Sequence, residues 1–213
     1  MKAAYVYMNV IAPSFNLLPV AAGFIRLKKL DGPARVLLLY LCINCLVSAA
    51  SSLLAFYHKP NTPLFHFSVI VETLLLLYFF RKLFRAPALL KLYAVLLLAF
   101  PVFCLVNILF LQPLSVFNSY TLSVQAVLVI ASCFLFWWNV PVPENSSWQA
   151  FPLNWMVSGL MLYFSSGFLL FTFINLVVKY LTKPDFILIW NIHATLSVIM
   201  YLLLTIGYFK YKS

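Results

Sequence analysis

Seven apolar stretches, each of membrane-crossing length, take up nearly all of this chain, with short polar connections between them. They run over about residues 5–25, 34–56, 64–80, 88–111, 115–139, 153–178 and 185–209. About 20 residues rising 1.5 Å each carry an α-helix across roughly 30 Å of hydrocarbon. Apolar residues run on within each stretch rather than alternate, which excludes the roughly 10-residue strands of a membrane barrel. Lipid gives the backbone nothing to bond to, so each segment must satisfy its own N–H and C=O groups, and the helix does so. The pattern predicts an all-α membrane protein, one integral domain over residues 1–213 folded as a seven-transmembrane helix bundle. Short connections punctuated by Asp31-Gly32-Pro33, Lys59-Pro60, Gln112-Pro113 and Lys183-Pro184 make consecutive helices antiparallel neighbours.

Composition agrees: 65% of residues are hydrophobic and 8% charged, against about 25% charged in a soluble domain. The net charge of +10 would suit a nucleic-acid partner, but its distribution excludes one. Threading the spans puts ten of the 14 Lys and Arg on one side, clustered around Arg26–Arg35 and Arg81–Lys91. Cytoplasmic loops carry that excess, so the amino terminus is expected outside and the carboxyl terminus in the cytoplasm, with the bacterial inner membrane as the location. Trp137, Trp138 and Trp148 near one boundary, and Trp190 and Tyr57 near the other, suit interfacial belts. The first stretch is expected to be retained, since no small-residue cleavage site follows it. Cys42, Cys45, Cys104 and Cys133 fall inside spans and read as packing residues. Asn145-Ser146-Ser147 fits a glycosylation acceptor but lies on the expected cytoplasmic side. Pro13, Pro19 and Pro101 fall within spans, where each frees a carbonyl and invites a kink.

Polar residues at membrane depth carry the candidate chemistry. Glu72 sits near the centre of the third stretch, where a bare carboxylate is costly unless paired, solvated or protonated. His66 lies six residues earlier, about 120° around the helix, and His193 lies in the outer half of the seventh stretch. Asn107, Asn118, Gln125, Asn175 and Asn191 fall at similar depth, with Asn9 at the rim, while Asn44, Asn154 and Ser158 fall in the inner half. An amide in a membrane helix ordinarily bonds a neighbouring helix. Turned inward together, the outer group would line a pocket open to the outside. No cofactor is expected. A metal held by His66, His193 and Glu72 is a subordinate reading, because no His-x-x-x-His or His-Glu-x-x-His spacing supports it.

In size, helix count and the runs His66-x5-Glu72 and Trp190-Asn191-x-His193, the chain resembles the small seven-helix sensor modules fused to, or encoded beside, bacterial membrane histidine kinases. With the outer polar group and cytoplasmic segments too short for a catalytic domain, the expectation is a sensor- or receptor-type module rather than an enzyme, with a small ligand, ion or proton as its input. No kinase domain follows Ser213, so the implied reader is a separate cytoplasmic signalling partner such as a histidine kinase. A small-solute or proton-coupled transporter is the alternative, and an intramembrane lipid-modifying enzyme the second. Transporters are commonly built from internal repeats, and none is evident in this sequence.

Overall fold

A computed structural model describes residues 2–141 and 147–211, with the side chains of all but residues 2–3 and 175–179. Among these residues seven helices are long and apolar enough to cross a membrane: α1 Ala4–Ile25, α2 Gly32–Phe56, α3 Thr62–Leu83, α4 Pro87–Leu111, α5 Ser119–Asn139, α6 Pro152–Tyr180 and α7 Lys183–Phe209. No strand occurs among the described residues. The Asn145 acceptor pattern falls largely on residues 142–146, outside them.

Helix starts follow local chemistry. Proline occupies the first turn of α2, α3, α4 and α7, where the missing N–H would have no intrahelical partner anyway. Asp31 caps α2 by accepting the Ala34 N–H at 2.9 Å. α2 stops at His58, whose φ of 52° lets the Lys59 N–H reach back to the Leu54 carbonyl at 2.8 Å. α5 starts four residues later than its apolar stretch, because Gln112–Asn118 forms a folded turn.

Two helices depart from regular α geometry, both at the end of the bundle where the chain begins. α1 widens to a π-turn over Tyr7–Ile11, just before Pro13, and is interrupted at Phe15–Asn16. α4 closes with a π-turn at Asn107–Leu111. Pro101 is accommodated within α4.

The helices pack as a ring in the order α1, α2, α3, α5, α6, α7 and back to α1, with α4 outside it against α3. Apolarity explains the exclusion of α4. It has the highest mean hydropathy of the seven, 2.7, and the smallest buried share, 17%, whereas α3 is 44% buried. A helix apolar all round loses nothing by facing lipid, while a helix with polar groups must turn them inward.

The two ends of the ring differ. Toward the end that carries the α1–α2 and α3–α4 connections, Leu37, Leu41, Leu76, Phe80, Phe136, Met156, Leu160 and Leu204 form a close-packed core. α6 and α7 approach closely there, because a methyl on Gly207 would meet the Pro152 carbonyl at 3.1 Å, and one on Gly159 the Met200 carbonyl at 3.1 Å. The tail is tied in as well. The Tyr208 hydroxyl donates to the Ala34 carbonyl at 3.2 Å, and the Tyr211 hydroxyl to Asp31 Oδ1 at 3.2 Å. Burial, and then the charge of Asp31, push the Tyr211 phenol well above its ordinary range, so it stays a donor. Toward the opposite end the ring is hollow.

Candidate functional site

The hollow is a cavity of about 460 Å³ between α1, α2, α3, α6 and α7, reaching from the end where the chain begins to the middle of the bundle. Ligand pockets commonly measure about 300–1,000 Å³. Its walls follow helical periodicity. α2 contributes Asn44, Val47, Ser48 and Ser51, and α3 contributes Phe65, Ser68, Val69 and Glu72, both at i, i+3, i+4, i+7 spacing, which is one face of a helix. α7 adds Phe186, Trp190, His193, Ser197 and Tyr201, and α6 adds Tyr163 and Phe171. Met8, Asn9 and Pro13 of the distorted part of α1 line it as well, as do Asn61, Phe117 and, from α5, Leu122.

The floor is polar. Asn44 and Glu72 face the cavity together, with the amide beside the acid. The Oδ1 of Asn44 accepts from Asn16 Nδ2 at 3.2 Å and from the Tyr201 hydroxyl at 3.3 Å. Asn16 Nδ2 also donates to the Leu41 carbonyl at 3.1 Å. Asn16 is buried at the interruption of α1, so the break in that helix, the amide of α2, the acid of α3 and a phenol of α7 meet at one depth. Below them the apolar core closes the bundle.

The side wall is aromatic. The His193 ring lies 4.9 Å from Tyr163, 5.5 Å from Phe171 and 6.2 Å from Trp190. Its Nδ1 shares a hydrogen bond with the Ser166 hydroxyl at 2.9 Å. Phe186 adds a ring 6.0 Å from Trp190. His193 Nε2 is the ring nitrogen left to face other groups.

Of the residues singled out by sequence, Glu72 and His193 line this one cavity, Asn9 joins them at its rim, and Asn44, expected apart from them in the inner half, lines it too. His66, Asn107 and Asn118 are spent on the α4–α5 turn. His66 Nε2 bonds the Val116 carbonyl at 2.9 Å, and Asn118 Nδ2 bonds the Phe65 carbonyl at 3.1 Å. Asn107 packs against Gln112, whose amide donates to the Ser119 hydroxyl at 2.8 Å and whose Oε1 accepts the Tyr120 N–H at 3.1 Å. Asn191 bonds back to the Ile187 carbonyl of its own helix at 2.8 Å. Gln125 is buried on α5, away from the lining. The Asn175 side chain lies outside the described residues. With His66 turned to the α4–α5 connection, it does not gather with Glu72 and His193, and no cluster of three His, Cys, Asp or Glu suited to a metal occurs among the described residues.

Asn44, Tyr163 and Tyr201 were not among the sequence candidates for the pocket, although they frame its floor. One signal was present: Asn44, Ser48 and Ser51 recur at i, i+4, i+7 in an otherwise apolar segment.

Seven membrane-crossing helices define an integral membrane protein, here with one hollow end. Comparison with protein-family models, curated proteins and solved structures finds no match to the chain.

Proposed function

We propose that this protein is a receptor of sensor type in the bacterial inner membrane. A small ligand, ion or proton binds in the cavity beside Glu72 and alters helix packing, and a cytoplasmic partner such as a membrane histidine kinase reads the change. The asymmetric distribution of Lys and Arg supports placing the hollow end outside. The observation that carries the reading is the one-ended form of the cavity. It is lined by residues from the end where the chain begins, holds an acid at its inner limit and gives way to a packed core.

The floor also gives occupancy a route to the far end. Asn44 and Asn16 tie Glu72 to the interruption of α1, and Tyr201 lies two turns above Tyr208, which binds the start of α2. A ligand that draws on Glu72 or Asn44 therefore biases how α1, α2 and α7 meet. Such a shift is limited to the ligand's differential affinity for the two packings.

Reconstitution in proteoliposomes, together with partner capture from native membranes, tests the reading. Saturable binding without flux, and a captured kinase whose activity follows the ligand, is the expected result. Solute accumulation abolished by Glu72→Gln would make the protein a transporter instead. Turnover of lipid would make it an enzyme.

A further inference from the structure

We infer that the ligand is an organic cation, a small protonated or quaternary amine, held by the Glu72 carboxylate and the aromatic wall. This identifies the ligand class for the cavity and rests on the receptor reading above.

Three observations lead there. The first is the sign of the cavity. The chain carries 14 Lys and Arg against four Asp and Glu, yet among the described residues no Lys or Arg lines the hollow, while Glu72 does. Its neighbour in the lining, Asn44, is neutral. An ionised carboxylate at membrane depth is favoured by a positive partner. The described lining supplies none, so a cationic ligand would provide it.

The second is the wall. Tyr163 lines the cavity together with Glu72, and Tyr163, His193, Phe171, Trp190 and Phe186 follow one another at ring separations of 4.9–6.5 Å. Aromatic faces are the usual neighbours of an ammonium whose water has been removed, because the ring quadrupole attracts the cation. An anionic ligand would meet those faces and Glu72 unfavourably.

The third is the hydroxyl set. Ser48 and Ser51 of α2, Ser68 of α3 and Ser197 of α7 also line the cavity, and their oxygens can accept from the N–H groups of a protonated amine or from a hydroxyl on its tail. A bare inorganic cation would use the floor but leave the rings without a purpose. A neutral alcohol would leave Glu72 without a counter-charge.

The test uses the full chain in maltoside micelles, in phosphate buffer free of Tris and of choline or ethanolamine lipids. Choline, benzyltrimethylammonium, sodium, and 3,3-dimethylbutan-1-ol (the neutral isostere of choline) are compared by calorimetric titration and by shift of the unfolding midpoint. The two ammonium ions are expected to bind and raise the midpoint, and the isostere to bind at least about tenfold more weakly. Glu72→Gln should weaken ammonium binding by about tenfold or more, and Phe171→Leu or Trp190→Leu by about threefold to tenfold. The two aromatic variants keep the test decisive if the Glu72 variant does not fold. Equal binding of isostere and choline, or a response to sodium alone, overturns the ligand class and leaves the pocket standing. If none of the four compounds binds, the ligand class falls, while the receptor reading is decided separately by the flux and partner-capture experiment.

Discussion

Glu72 sits where hydrocarbon would surround a lone side chain, yet the fold gives it a cavity, an amide partner and nearby phenols. A group kept for binding costs stability that an apolar residue would recover. Glu72→Leu is therefore expected to raise the unfolding midpoint in detergent, by about 1 kcal/mol of stability. If Glu72 is instead a structural clasp, the same change lowers the midpoint, as breaking a buried polar pair does. His66 makes the contrasting case. Its bond to the Val116 carbonyl secures the α4–α5 turn, so His66→Phe should cost about 1–2 kcal/mol. Faster hydrogen exchange confined to residues 112–118 and the start of α3 would be the readout, with ligand binding unchanged. These two residues also mark how far a sequence goes. An acid in a long apolar run stands out by its cost wherever the helix turns it. A histidine or amide near a helix end serves a turn or a cavity equally well, and only the rotation of the helix decides. Tyr163 and Tyr201 escaped notice because a ring at depth has the same signature whether it packs or lines a void.

Among the elements, all seven helices were legible from apolar length alone, because lipid admits little else. Their irregularities were not. Pro13 marks a weak place in α1, but the π-turn before it and the interruption at Phe15–Asn16 depend on Asn16 reaching α2. Nor does one sequence reveal ring order, although the apolarity of α4 pointed outward in retrospect. Close approach of α6 and α7 rests on Gly159 and Gly207, whose added Cβ atoms would press on backbone carbonyls at 3.1 Å. Gly207→Leu should force those helices apart and cost about 2–3 kcal/mol, with the larger loss in the packed half. A thermal melt with hydrogen exchange resolved by helix checks both parts. Gly32→Leu is the matched control, since the nearest atoms to an added Cβ there are those of the flexible Lys82 side chain, at 3.7 Å and beyond.

At the scale of the whole molecule, the hollow end and the charge distribution jointly define a direction. The packed end carries Arg26, Lys28, Lys29, Arg35, Arg81, Lys82, Arg85 and Lys91 on and beside the α1–α2 and α3–α4 connections, whereas the hollow end has Lys2, Lys59, Lys179 and Lys183 in the sequence. Moving the richer side across a membrane is opposed during insertion, so the hollow end should face outward. Single cysteines placed at Lys59 and at Arg85, in a background lacking the four native thiols, test this in intact cells. A membrane-impermeant maleimide should label position 59 directly and position 85 only after the membrane is opened. The reverse pattern would turn the cavity toward the cytoplasm and deny an external ligand any path to Glu72. Replacing Lys28, Lys29, Arg81 and Lys82 with glutamine removes much of the bias, and the expected consequence is a mixed population labelled at both positions. Inversion under that change, with ammonium binding retained in detergent, would separate the direction of the molecule from the chemistry of its pocket.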